Sequence, residues 1–350
     1  MGPWYATREE VKAELDVRET ARSNARIDRA LDDATGAVNG LCHRVFYPVV
    51  ATRYFDWPNR QSGTSWRLWL NDSELVSVTA LASGGVTIAD TDFFLEPNRS
   101  GPPYNRIEID LSGPAAFGGG NTHQRDIAVS GVWAGCALSE TQVGAGVEAL
   151  DAAETGVDVD GATSAAVGVG SLLRIDSERL VVTGRAQLDT GQDLGGNLSA
   201  ANNDVTVTVA DGSAYAVDEV ILIGGEKMRV DEIAGNSLTV QRAWDGSALA
   251  SHTAGADIYA PRTLVVDRGA LGTTAAGHSS AASVYRWNPP GGVRQLALAT
   301  ALDDLLQGRS GYARTAGSGD NEREMTGKGL AGLRERVYVA HGRKARLRGV

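Results

Sequence analysis

The chain has 350 residues, enough for two domains with a core in each, and its 22% charged and 42% hydrophobic residues exclude a disordered polar chain. A formal net charge of −10 excludes a uniformly basic nucleic-acid binder, and the two cysteines, Cys42 and Cys136, exclude a disulfide framework. No stretch approaches the ~18 apolar residues of a membrane span. The opening "MGPWYATREEVK" lacks the apolar core of a signal peptide, so a cytoplasm-like compartment is expected.

The first expected elements are helices. Thr7 with Glu10 reads as a capping box ahead of a short helix to about Leu15. A second helix, from near Thr20 to about Cys42, carries Ile27, Leu31, Ala34, Val38 and Leu41 along one face. From Tyr54 the period changes to two. Short strands follow at Trp66 to Leu70, Leu75 to Leu81, Val86 to Ile88, Phe93 to Pro97, Arg106 to Leu111 and Ile127 to Trp133, predicting a small antiparallel sheet.

Residues 140–287 read as all β and contain a repeat. Leu238 to Tyr259 matches Leu264 to Tyr285 at a constant offset of 26, pairing Arg242 with Arg268, Gly246 with Gly272 and His252 with His278. A half-unit before it also recurs: Asp160 to Val182 resembles Asp211 to Val230, with a three-residue gap before Glu178 and Glu226 align. The order is first half, first half, second half, second half. Nesting explains it: an inner unit, Val205 to Pro261, sits within an outer one that opens near Val157 and closes near Trp287. The expected domains are therefore a helical and β core with a C-terminal arm (1–139 and 288–350) and an inserted all-β domain (140–287, inner unit about 205–261). The fold class is α+β, with N- and C-terminal helices around the small sheet.

After Pro289 and Pro290 a buried helix is expected over Val293 to Leu306, then a Gly/Ser-rich connector. Leu330, Leu333, Val337 and Ala340 mark a last short helix, followed by the basic "HGRKARLRGV". From Asp320 onward eight basic residues face only Asp320, Glu322, Glu324 and Glu335, so the C-terminal end is positive while the body is negative.

No chemistry-bearing motif stands out. His252 and His278 each lack the further His, Cys or carboxylate ligands of a metal site and are expected to hold a turn of the repeat. Glu178 and Glu226, near Asp176 and Asp231, evoke a hydrolytic carboxylate pair, but one Glu per copy marks a structural position. Gly-x-Ser-x-Gly, a Gly-x-Gly-x-x-Gly following a strand, a Walker lysine, Cys-x-x-Cys and His-Glu-x-x-His are all missing from the sequence. The expectation is a non-enzyme with no cofactor and no metal. A tethered helix with a cationic extension reads instead as a binding arm for an acidic or phosphate-bearing surface. Its residues are Leu330, Leu333, Arg334, Arg336, Val337, Tyr338, Arg343, Lys344, Arg346 and Arg348.

Ordered along the chain, "REEVKAELDV", "RIDRALDDATGAVNGLCHRVF" closing on Arg44-x-Phe46, "LVSVTALASGGVTIADTDFFLEP", "GPPYNRIEIDL", "IAVSGVWAG" and "PPGGVRQLALATALDDLL" form a pattern. It resembles the head-to-tail connector (adaptor, or head-completion) proteins of long-tailed bacteriophages over about residues 4–135 and 287–350. The intervening repeats resemble small β-units of phage structural proteins. The resemblance implies a structural virion protein of the neck, made in the host cytoplasm. It would dock as a ring of about twelve copies beneath the portal protein, with the arm reaching into the portal. The ring would extend the channel through which double-stranded DNA passes without sequence-specific binding, and would seat the next neck or tail protein, a stopper or tail terminator. The alternative is a virion accessory protein whose β-modules bind host-surface glycans, which calls for exposed aromatics among Tyr215, Trp244, Tyr259 and Tyr285.

Overall fold

The computed structural model describes residues 2–15, 24–58, 64–309, 315–316, 323–324 and 327–343. It is a mixture of helices and antiparallel sheets. The described residues group into two compact units. One draws on Met1–Val38, Glu140–Ala270 and Thr274–Val339, the other on Asn39–Ser139, Leu271–Thr273 and Ala340–Val350.

The second unit holds seven strands: β1 (Val49–Phe55), β2 (Arg67–Trp69), β3 (Leu75–Ser83), β4 (Val86–Ile88), β5 (Phe93–Glu96), β6 (Arg106–Ile109) and β7 (Ile127–Trp133). They form two sheets where the sequence suggests one, in the orders β1-β7-β3-β4 and β2-β6-β5. Both sheets turn one face to a shared core that includes Leu68, Leu81, Phe93, Ile107, Ile127 and Trp133. Alternation reports which face a residue takes but not which strand it pairs with, so one sheet and two look alike in sequence. Gly131 on β7 marks a close approach: a Cβ there would overlap the Ser77 carbonyl oxygen, beside irregular pairing of β3 with β7.

In the first unit, α1 (Arg8–Leu15) opens with the expected capping box. The Thr7 N–H donates to Glu10 Oε2 at 2.9 Å, and the Glu10 N–H donates to Thr7 Oγ1 at 3.2 Å. α2 (Asn24–Cys42) begins in this unit and ends in the other. Trp4, Val11, Ile27, Leu31, Ala34, Val169, Ala301 and Leu305 share one core, which joins α1 and α2 to the Pro-started helix near the C-terminus and to the loop around Val169. That loop is fastened by three bonds to the N-terminal segment: Trp4 N–H to Gly170 O at 2.9 Å, Arg8 N–H to Val169 O at 3.2 Å, and Val169 N–H to Glu9 Oε2 at 2.8 Å.

The strands of this unit are β8 (Glu140–Ala145), β9 (Gly156–Asp158), β10 (Leu172–Ile175), β11 (Glu178–Asp193), β12 (Thr206–Thr208), β13 (Val220–Ile223), β14 (Glu226–Ala234), β15 (Ser237–Gln241), β16 (Asp257–Asp267) and β17 (Ser283–Trp287). They make one ten-stranded sheet, ordered β12-β15-β14-β13-β16-β11-β10-β17-β8, with β9 on β16. Pairing repeats with the sequence. Ile175 faces Glu178 as Ile223 faces Glu226, Val182 faces Val266 as Val230 faces Val240, and Arg174 faces Tyr285 as Leu222 faces Tyr259. Isolated bridges repeat too, Leu150 to His278 and Leu198 to His252. The three-residue gap has a physical cause. Asp160 caps the six-residue α3 (Gly161–Ala166), whereas Asp211 caps a single 3-10 turn of three residues, Gly212–Ala214.

β11 and β16 run through both copies. Val182 pairs with Val266 within the outer copy, and Asp189 pairs with Tyr259 where the chain enters and leaves the inner one. The register slips between Ala186 and Leu188, opposite Pro261, which has no N–H to give the ladder. The remaining elements are α4 (Gly291–Arg309), the two-residue pair β18 (Thr315–Ala316) with β19 (Arg323–Glu324), and α5 (Gly327–His341). α4 buries Val293, Leu296, Ala297, Ala301 and Leu305, as expected of a helix apolar on most sides.

Because the Ser77 carbonyl occupies the space a Gly131 methyl needs, Gly131→Ala is expected to destabilise the second unit by about 2 kcal/mol or more. Urea unfolding measures it, and a wild-type midpoint would contradict the close approach.

Candidate docking helix and the repeated carboxylate clusters

Glu226 follows a two-residue hairpin turn after β13, and its side chain is fully buried. Around it converge Arg242 from the end of β15 and His252 from the following loop. Arg242 Nε and Nη2 donate to the two carboxylate oxygens at 2.8 Å each. His252 Nε2 lies 3.0 Å from Oε2, and the backbone N–H groups of Ala243 and Ala250 donate at 3.0 Å. Glu178 repeats the arrangement with Arg268 at 2.7 and 2.8 Å, His278 Nε2 at 2.8 Å, and the N–H groups of Gly269 and Ala276 at 2.8 and 3.1 Å.

The guanidinium groups reach further. Arg242 donates to the carbonyls of Ser199, Asp204 and Ala250, and Arg268 to those of Asp151, Glu154 and Ala276. Each arginine thus ties two loops to one carboxylate, in the planar forked geometry that suits the group. This explains the kept histidines: each caps a carboxylate oxygen and holds its loop. The arginines were visible in the repeat as Arg242 and Arg268, but burial is what gives them a role.

The copies differ at one contact. His278 Nδ1 lies 2.8 Å from Asp176 Oδ2, while the matching position in the inner copy is Gly224. Both positions are left-handed turn residues, with φ of 51° at Asp176 and 59° at Gly224. The His278 ring therefore lies between two carboxylates, Asp176 and Glu178, where His252 meets Glu226 alone.

With every surrounding donor aimed at them and no side-chain exposure, neither Glu178 nor Glu226 presents an oxygen to a substrate. Among the described residues no group of three or more His, Cys, Asp or Glu is placed to hold a metal ion. Of the aromatics named for glycan contact, Tyr215 is buried, and Trp244, Tyr259 and Tyr285 are half-buried. Arg229 covers the Trp244 ring and Arg174 covers that of Tyr285.

The candidate arm has a different character. On α5, Leu333 and Val337 are buried, Leu330 is half-buried, and Arg334, Arg336, Tyr338 and Val339 are exposed. The end of the helix belongs to the second unit. His341 meets Phe46 edge-on at 5.9 Å, the Arg343 N–H donates to Cys42 O at 2.9 Å, and Arg343 Nη1 pairs with Asp72 at 3.0 Å. Lys344, Arg346 and Arg348 lie outside the described residues, as does most of the Gly/Ser-rich connector. Among the described residues no helix is long and apolar enough to cross a membrane.

The clusters set an acid limit on stability. Burial raises the carboxyl pKa of Glu226, and the bonds from Arg242, His252, Ala250 and Ala243 outweigh it, leaving a value of about 2 against an ordinary 4.5. Glu178, under the same opposed influences, also lies at about 2. A folded-state pKa below the unfolded one gives stability that is present above about 4.5 and lost as pH falls toward 2. Each carboxylate is expected to contribute on the order of 3 kcal/mol at neutral pH. Urea unfolding of Glu226→Gln should show a loss of that order at neutral pH and a much smaller difference from wild type near pH 2. A constant difference across that range would contradict the linkage.

No family model matches the chain, and no curated protein and no solved structure matches it either.

Proposed function

We propose that the chain is a structural head-to-tail connector of a long-tailed bacteriophage, located in the virion neck. It docks as a homo-oligomeric ring beneath the portal, extends the DNA channel and seats the next neck or tail protein. In this reading the helices and small sheets are the connector frame, with α5 as the arm, and residues 140–287 are an inserted pair of nested, duplicated β-modules. No catalysis is assigned to it.

The split face of α5 carries the proposal. Leu333 and Val337 are buried, while Tyr338 and Val339 stand exposed beside Arg334 and Arg336. An apolar pair flanked by arginines is suited to a protein surface that offers a pocket and carboxylates. Two residues of the resembling motif also have defined places: Phe46 is fully buried against His341, and Arg44 pairs with Glu74 at 2.9 Å.

The test is mass in solution, first of the purified chain alone and then mixed with DNA-filled, tailless heads. A ring of fixed stoichiometry on the heads is expected. Because Tyr338 and Val339 are exposed, Tyr338→Ala with Val339→Ser should leave the melting temperature unchanged and weaken docking at least tenfold. Normal docking by the double variant would remove the role of α5. A chain that ignores heads and binds cell-surface polysaccharide would replace the connector assignment.

A further inference from the structure

The second unit contains a cleft of about 400 Å³ whose lining includes Arg44, Arg53, Asp72, Glu74, Trp133 and Arg343. Arg53 is the unexpected member. On β1 it lies in the same row as Ala51 and Phe55, both of which pack into the core, while Thr52 and Tyr54 take the other face. Its guanidinium lies 4.4 Å from the centre of the Trp133 ring, a side chain only 2% exposed. The ring offers the cation a favourable face but no oxygen acceptor for its N–H donors. Among the described residues no hydrogen bond reaches the Arg53 guanidinium, and burial lowers its pKa against the opposing field of Glu74.

Its neighbours are already committed. Arg44 Nη2 pairs with Glu74 Oε1 at 2.9 Å and Nη1 donates to Gly135 O at 3.2 Å, yet its buried Nε has no partner. Arg343 takes Asp72 at 3.0 Å and approaches Glu74 at 3.7 Å. Three guanidinium groups therefore share two carboxylates, and the unmatched charge falls on Arg53. A purely structural arginine at Arg53 would be expected to find an internal carbonyl or carboxylate, as Arg185, Arg242, Arg262 and Arg268 all do.

We propose that this cleft is a docking site for a carboxylate carried by another polypeptide, an Asp or Glu side chain of an acidic segment that the Arg53 guanidinium receives. One carboxylate balances the one unmatched guanidinium charge, and its planar pair of oxygens suits a fork of N–H donors. A nucleic acid is a poorer match, because its line of phosphates would find only one unmatched guanidinium in the cleft. The site does not depend on the connector assignment.

Isothermal titration of the full chain with hexaglutamate, and separately with inorganic phosphate, tests this. Hexaglutamate is expected to bind saturably. Arg53→Met should weaken that binding at least tenfold while melting at or above the wild-type temperature, since an apolar replacement removes a desolvated charge. Arg53→Lys, which keeps the charge and loses the fork, should also bind more weakly and serves as the folded comparison if the methionine variant fails to fold. Thr52→Ala, on the opposite face of β1, should bind as wild type. Absence of saturable binding, or wild-type affinity in both Arg53 variants, would overturn the site. Tighter binding of phosphate than of hexaglutamate would overturn its assignment to a carboxylate.

Discussion

The antiparallel pairing of β11 with β16 is the constraint on which the β-rich unit depends. These two strands carry the chain out of one repeat copy and back into it, so the residues that open and close the inner copy must lie side by side. Asp193 faces Asp257 at the far end, and Val182 faces Val266 at the near end. The ladder has to absorb Pro261, which cannot donate, and it does so by a register slip opposite Ala186 and Leu188. Arg185 covers the same place, donating through Nη2 to the carbonyls of Pro261 and Ser164. One irregularity thus serves as the joint at which a strand stops belonging to one copy and begins belonging to the other.

Each copy then needs a way to hold loops that the ladder does not reach. A small β-unit has little apolar area to spare, and the inner core depends on residues such as Val207, Ile221, Met228 and Leu238. The Glu–Arg–His cluster supplies the rest by saturating a buried carboxylate with side-chain and backbone donors. Such a cluster is stabilising only when complete, because a buried charge left without one partner is costly. That explains why all three residues occur in both copies although much of the surrounding sequence differs.

Much of this was legible in the sequence, and the parts that were not have physical reasons. The capping box of Thr7 and Glu10, the face of α2 and the buried α4 follow from local spacing, and the repeat offset showed which histidines and glutamates correspond. Strand pairing in the second unit was not legible, because Leu68 and Leu81 alternate in the same manner yet belong to different sheets. The partners of Glu178 were also hidden: Arg268 and His278 are local to one another but distant from the glutamate along the chain. The strand Val49–Phe55 was not among those expected, so Arg53 drew no attention in the sequence, and only the packing of Ala51 and Phe55 reveals which face it takes.

The nesting also gives the two clusters different histories during synthesis. Glu226 and Arg242 are separated by 16 positions, whereas Glu178 and Arg268 are separated by 90. The inner carboxylate meets its arginine soon after both leave the ribosome, with little loop entropy to overcome. Glu178 stays without its partner until the whole inner copy has been made and its ends have come together. The folded inner copy therefore acts as a template that brings the second half of the outer copy within reach of the first.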